Sequence, residues 1–416
     1  MKIRAIDTLV RARVAWFSLT VLLSILGATY PASAQYTLDD TYANWTNYNT
    51  YFLANDGNTQ NPGKFFAKVQ GGANRTISGF WEEAEEIETA VDAYYWSVAN
   101  YPTHDHSAYV DEINSLCTGF TNHNGHDWSS DLFNDDLDWA IIAFTRAYQV
   151  THAPGQLTDA ENNFTTVWTR AQAPGGSGDG NSGLLQSQPH GTDWVANLDS
   201  PVNFTSVIAG YLLYDNTGTA SYKTDADSVY NWSIANLYTT SVDSGVCNGQ
   251  TSLTCAKIYD SNNKSQGGSI GSSDYSYNYG IAIQAATREG DLTTAQNIAN
   301  WLMYNSNNPN YPYVGTYSLN GAAYNILPNY KQDGVNDAGY NGIALRGIGF
   351  GYSRGALNAT TLAWAQANVS AAWANRNADS VIWNDWTPGD STPAGGGLYS
   401  WDCSPALAGL LDIPAP

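Results

Sequence analysis

The chain has 416 residues, 43% of them hydrophobic and only 13% charged, and its 38 acids against 17 Lys and Arg give a formal charge of −21. Residues 1–34 hold four of the basic residues and one acid, so the remainder stands at −24. Such a surface repels phosphate backbones and anionic lipid, which argues against nucleic acid and membrane surfaces as partners and for a neutral polysaccharide or oligosaccharide.

The first 34 residues have the form of an export signal. Lys2, Arg4, Arg11 and Arg13 flank an apolar run over residues 14–26, and "PASA" offers a small-residue cleavage site after Ala34. That run is too short and too interrupted for a membrane span, and no later stretch approaches about 20 uninterrupted apolar residues. The expected product is secreted, extracellular or periplasmic, without membrane insertion, and monomeric. Residues 35–416 carry no Pro-rich or Ser-rich linker and no charge block, so one domain is expected.

Helical periodicity then recurs in pairs. A first helix is predicted near 38–54. "ISGFWEEAEEIETAVDAYYWSVANYP" precedes "HSAYVDEINSLCTGF", and "DDLDWAIIAFTRAYQVTHAPG" precedes "LTDAENNFTTVWTRA". Three further segments, "TSVIAGYLLYDNTG", "NYGIAIQAATREGD" and "NGIALRGIGFGYSRGAL", each lead to a helix bearing Ala and Trp six apart. Those pairs are Ala226 with Trp232, Ala295 with Trp301, and Ala367 with Trp373, a repeating helix-turn-helix unit. A last helix near 404–412 completes a sixth pair with the first.

The leading helix of each pair is apolar nearly all round, as in the segment after Asp136, where only Asp138 and Arg146 break the pattern. The second helices keep a polar face. Six buried helices inside six amphipathic ones predict an all-α (α/α)6 barrel. The long Gly/Asn/Ser-rich connections over 172–200, 240–273 and 306–337 should gather at the rim where the inner helices start and shape a cleft.

The starts of those inner helices carry the candidate site: Trp81, Asp135, Asp136, Asn203, Tyr277, Asn278, Asn341 and Trp401. Aromatic faces and hydrogen-bonding groups converging from separate hairpins suit a sugar cleft. Asn203 and Asn278 have a capping role as their alternative, and Trp81 a place in the core. The aspartate pair is the sharper signal. One acid at a helix start is a common cap, but a second beside it suffers its neighbour's charge, which drives the two pKa values apart. Unequal carboxyls are what glycoside cleavage needs, one to protonate the leaving oxygen and one to attack the sugar carbon or activate water.

Other clusters have plainer readings. The acids of "EEAEEIE", residues 82–88, are expected on a solvated or rim face. Asp333 and Asp337 precede an inner helix and could reach the cleft. Four cysteines allow three pairings, with Cys247 to Cys255 the favoured disulfide and no metal-site spacing. His104 with His106, and His123 with His126, lie in Asn/Asp/Gly-rich surroundings and are expected as exposed loop residues; His190 is the sixth histidine beside His152. No metal and no cofactor is expected.

"DDLDWAIIAFTRAY", "YNYGIAIQAA", "SPVNFTSVIAGYLLYDNTGTASY" and the FWEEA helix together make the chain resemble glycoside hydrolase family 76, the endo-α-1,6-mannanases and their fungal cell-wall relatives. The resemblance spans about residues 38–412. It implies an (α/α)6 barrel and a metal-free retaining double displacement on α-1,6-linked mannose, with Asp135 as nucleophile and Asp136 as general acid/base. It also implies that Asn203, Tyr277, Asn278 and Gly280 occupy cleft positions. The sequence departs from the family where Asn341 replaces a lysine and Tyr279 a glutamine. Two other functions stay open: a cell-wall glycan transglycosidase of the same fold, and a glycan-binding protein without catalysis, which would have no need of both acids.

Overall fold

The computed structural model describes residues 35–70, 76–173, 178–187, 197–240, 247, 250–305, 312–394 and 397–416. The expected export signal and His190 lie outside the described residues. Twelve α-helices appear among them: α1 Leu38–Phe52, α2 Phe80–Asn100, α3 Ser107–Asn124, α4 Asn134–Thr151, α5 Pro154–Arg170, α6 Ser200–Thr217, α7 Ala220–Asn236, α8 Ser276–Glu289, α9 Leu292–Tyr304, α10 Tyr340–Ser353, α11 Ala359–Ala374 and α12 Ser400–Asp412.

The even-numbered helices pack each against the next, and α12 packs on α2, which closes an inner ring. The odd-numbered helices lie outside it, so the molecule is an (α/α)6 barrel. Burial follows the sequence pattern. In α6 every residue over 200–213 is buried, whereas outer α5 buries only the stripe Gln156, Asp159, Ala160, Asn163, Phe164 and Val167. The sixth hairpin joins the ends of the domain: α1 packs on α12, and the Tyr36 hydroxyl donates to the Ile413 carbonyl at 2.9 Å.

The repeated alanines fall on outer helices α7, α9 and α11, and all three are buried. Their size matters at the inner–outer contact, since a Cβ on Gly210 of α6 would already meet the Ala226 methyl at 3.0 Å. α12 begins four residues earlier than its periodicity suggests because Pro405 lies within it. The Trp401 carbonyl that proline cannot serve accepts instead from the Ser404 hydroxyl at 3.3 Å.

Residues 82–88 depart from expectation. Glu82, Glu83, Glu85, Glu86 and Glu88 are all buried, since α2 is an inner helix with neighbours on every side. Glu85 and Asp92 of α2 pair with Arg346 of α10, while Glu88 and Asp92 pair with Arg146 of α4. The charges that interrupt the apolar pattern therefore cross-link three inner helices through the barrel interior. Asp138, the other interruption, accepts from the Ser206 and Thr205 hydroxyls of α6.

Among the described residues four two-stranded antiparallel sheets lie in the connections: β1 Leu53–Asn55 with β2 Lys64–Phe66, β3 Tyr238–Thr239 with β4 Lys257–Ile258, β5 Ser261–Asn262 with β6 Ile270–Gly271, and β7 Thr316–Leu319 with β8 Ala322–Asn325. The β7–β8 hairpin turns through Asn320 (φ 51°) and Gly321 (φ 84°), the two left-handed residues a tight hairpin needs. Cys247 and Cys255 form the expected disulfide, and Cys117 and Cys403 are buried free thiols. No described helix is long and apolar enough to cross a membrane.

Candidate active site

The rim at the inner-helix starts holds a cavity of about 540 Å³. Its acids are Glu82, Asp131, Asp135 and Asp136, and its broad aromatic faces are Trp81, Trp139, Tyr277 and Tyr340. Gln186 and Asn336 add amide groups. No lysine or arginine among the described residues lines it.

The aspartate pair is held from its N-terminal side. Asn134, fully buried, donates from its side chain to the Leu185 carbonyl at 2.6 Å and accepts from the Arg170 guanidinium. Arg170 also donates to the Ser129 carbonyl at 3.0 Å, so one guanidinium bridges the 129–133 loop to the start of α4. Asp131 accepts from the Phe133 amide at 2.9 Å and tightens the same loop. Asp135 and Asp136 follow in the first turn of α4.

Burial, first of all, raises both carboxyls, and their surroundings then separate them. Asp135 is pushed up to about 7, with the Gln186 side chain and backbone amides opposing the shift. Asp136 is pushed well above the usual carboxylate range by burial and then by the charges of Asp135, Asp131 and Glu82, with nothing opposing. One Asp135 oxygen, Oδ1, is buried without a protein partner. The site thus contains one carboxyl that ionises more readily and one that holds its proton.

Of the sequence-derived binding residues, Trp81 and Tyr277 line this cavity. Tyr277 stacks on Tyr340 with ring centroids 4.1 Å apart, and Trp81 lies 6.1 Å from Trp139. Asn203, Asn278, Asn341 and Trp401 do not line it; all four are buried behind its wall. Asn203 bonds the Leu184 backbone in both directions and donates to the Asp199 carbonyl at 2.7 Å. Asn278 donates to Asp260 at 3.0 Å. Asn341 accepts from Ser276 and donates to the Pro328 carbonyl. Each amide donates to a protein partner, although Asn278 Oδ1 is buried without one, and this makes it a fastener of a rim loop rather than part of the cleft wall.

Trp401 packs edge-on to Trp81 at 4.9 Å and donates to the Asn336 carbonyl at 3.2 Å. It therefore supports two lining residues from beneath. Gly280 serves helix packing: a Cβ there would lie 2.5 Å from the Ile343 carbonyl oxygen, so α8 and α10 touch backbone to backbone. Asn341 and Tyr279, the departures from the family pattern, are both away from the cavity, and the Tyr279 hydroxyl donates to Asp274. Asp333 and Asp337 do not line the cavity; Asn336 between them does. Of the histidines, His126 is exposed and paired with Asp159 at 2.9 Å, and His106 bonds Ser97.

Residues not singled out from the sequence are Glu82, Asp131, Phe133, Gln186, Asn336 and Tyr340. Tyr340 directly precedes Asn341. Successive helix residues point roughly 100° apart, so at the start of α10 Tyr340 reaches the cavity while Asn341 turns into the protein. Gln186 gave no local signal, since its place depends on pairing across the rim with Asn134.

No protein-family model matches the sequence, and no curated protein matches it. Solved structures do match in fold. The α-1,6-mannanase of Salegentibacter sp. HEL1_6 is 18% identical with a TM-score of 0.65, covering 90% of this chain and 98% of its own. An inactive variant of that enzyme, with two adjacent aspartates replaced by asparagine, is in complex with α-1,6-mannotriose. A family 76 glycoside hydrolase (mannosidase) of Bacteroides thetaiotaomicron is 17% identical with a TM-score of 0.67, covering 90% and 96%. Dfg5 from Chaetomium thermophilum, in complex with glucosamine, is 16% identical with a TM-score of 0.55, covering 83% and 84%. This chain shares the barrel of the family 76 glycoside hydrolases.

Proposed function

We propose that the chain is a secreted, retaining glycoside hydrolase of family 76 that cleaves α-1,6-mannosidic linkages within mannan. The observation that carries this reading is the pair of adjacent carboxyls in one aromatic-lined cavity, held in unequal surroundings. The Salegentibacter enzyme supports the substrate class, because its adjacent aspartates were the ones replaced to inactivate it and its variant binds α-1,6-mannotriose. The Cys247–Cys255 disulfide fits an oxidising compartment, in keeping with export.

On this reading the ionised Asp135 attacks the anomeric carbon as Asp136 gives its proton to the departing glycosidic oxygen. The carbon–oxygen bond to the leaving chain breaks and an ester to Asp135 forms. Asp136, now ionised, takes a proton from water, the hydroxide displaces Asp135 from the same carbon, and the configuration is retained. The residues best placed to stack pyranose rings are Trp81, Trp139, Tyr277 and Tyr340. Burial, and after it the charges of Asp135, Asp131 and Glu82, keep Asp136 protonated, which preserves a proton donor at neutral pH.

The test is incubation of the protein with linear α-1,6-mannan and sizing of the products. Shorter oligosaccharides of retained anomeric configuration are expected, and kcat/KM should rise with pH through an apparent pKa of about 7 as Asp135 ionises. Asp135→Asn and Asp136→Asn should each lower kcat by at least about 10³-fold with an unchanged circular dichroism spectrum. Transfer to acceptor glycans without net hydrolysis would make the protein a transglycosidase, and binding without turnover a lectin. Undiminished turnover in both variants would remove the assignment.

A further inference from the structure

A larger cavity, about 860 Å³, lies at the other end of the barrel, among the C-terminal turns of all six inner helices. Arg146, Arg288, Arg346 and Arg354 line it, four of the seven arginines that follow residue 34. In a chain with so strong an acidic excess that concentration asks for a cause.

Two of these arginines are spoken for. Arg146 and Arg346 are saturated by Glu85, Glu88 and Asp92. Arg288, in the last turn of α8, is different. Its side chain is only 10% exposed, and its closest acid, Asp215, is 3.6 Å away and itself 54% exposed. Its Nε is buried without any partner. A guanidinium so nearly buried and so loosely paired is costly unless something else meets it.

Arg354, exposed and without an ion pair among the described residues, lines the same cavity. Both guanidiniums lie over the Phe350 ring, Arg288 at 4.7 Å and Arg354 at 5.5 Å from its centroid. Arg354 and Arg146 repel the Arg288 charge, which together with the larger effect of burial pulls its pKa down to about 10. Across the cavity the four arginines are matched by Glu85, Glu88, Asp92, Asp215 and Asp412, but among the described residues only Asp215 lies within ion-pair distance of Arg288 and none of Arg354, so the excess is local to these two guanidiniums. Asp92 is claimed by two arginines, and Asp412 is driven towards its protonated form by burial and by Asp92. The C-termini of the inner helices add partial negative charge, roughly −0.5 each, so an anion is held here only through direct N–H contacts to the two guanidiniums. A positive surplus facing an open cavity is the arrangement that binds oxyanions, with planar N–H forks matched to pairs of oxygens.

We propose that Arg288 and Arg354 form a binding site for a tetrahedral oxyanion, inorganic phosphate or the phosphoryl group of a small phosphorylated sugar, in the cavity opposite the aspartate pair. Phe350 fixes the two guanidiniums in place, and the cavity has room for a sugar beyond the phosphoryl group.

Isothermal titration of the full protein with phosphate, sulfate, a hexose 6-phosphate and the uncharged hexose, at fixed ionic strength, tests this. One saturable site with Kd below about 1 mM is expected for phosphate, with no binding of the uncharged hexose to it. Affinity should fall at least tenfold in Arg288→Gln and in Arg354→Gln, the second of which alters an exposed residue and cannot be dismissed as misfolding. Asp136→Asn should leave phosphate binding intact, which separates this site from the aspartate pair. Tighter uptake of the hexose phosphate than of phosphate identifies a phosphosugar as occupant; equal or weaker uptake identifies the free ion. Absence of saturable phosphate binding, or equal binding by a folded Arg354→Gln variant, overturns the proposal.

Discussion

Glu86 offers the most direct check of how the barrel handles buried charge. It is fully buried on α2, and its carboxyl accepts from the Tyr48 hydroxyl at 3.2 Å while its second oxygen, Oε2, has no partner. Burial raises its pKa from 4.5 to about 8, against hydrogen bonds that pull the other way. A carboxyl whose pKa is higher in the folded than in the unfolded chain binds its proton more tightly when folded. The stability it supplies is complete below pH 4.5 and drains away as pH rises towards 8. At about 1.4 kcal/mol per unit, the part lost between pH 6 and 9 is about 3 kcal/mol. Glu86→Gln keeps the shape of the neutral acid and removes the titration. Urea unfolding of both proteins at pH 6 and pH 9 should show the variant gaining about 3 kcal/mol on the wild type across that interval. Glu85, Asp402 and Asp135, also raised, slope both proteins alike, so the difference reports position 86 together with Glu83, whose carboxyl is raised by burial and then by the Glu86 charge. Parallel pH dependence of the two proteins would refute the reasoning, because it would mean that Glu86 is already ionised in the folded chain.

Arg346→Met should destabilise the protein by about 3 to 5 kcal/mol near neutral pH, since it leaves the buried Asp92 charge with one guanidinium and takes from Glu85 its hydrogen-bond donor; chemical denaturation measures it, and a change below about 1 kcal/mol would show that the network is not a structural tie. Cys255→Ser opens the eight-residue disulfide loop and should cost about 2 to 3 kcal/mol by chain entropy, read as a lower urea midpoint that reduction reproduces in the wild type.

The barrel was legible because its signal is periodic and local. Inner helices such as α6 read as apolar all round and outer ones such as α5 as striped, and that contrast alone orders twelve helices into two rings. The burial of the acids of α2 is not legible for the complementary reason: a glutamate on an inner helix and one on a surface helix look identical until Arg146 and Arg346 arrive from α4 and α10 to meet them. Within the candidate site, aromatic and acidic residues in the first helical turn were traceable, whereas amides were not. Asn203, Asn278 and Asn341 sit at the right rim but spend their hydrogen bonds on Leu184, Asp260 and Pro328. The consequence for the cleft is physical. Buried amides that fasten the rim loops leave the cavity walls to Trp81, Trp139, Tyr277 and Tyr340, so on the proposed reaction ring stacking would take the larger share of substrate contact and the aspartate pair the chemistry. A rim pinned from behind in this way also holds Gln186 beside Asp135, and with it the difference between two neighbouring carboxyls on which the proposed reaction depends.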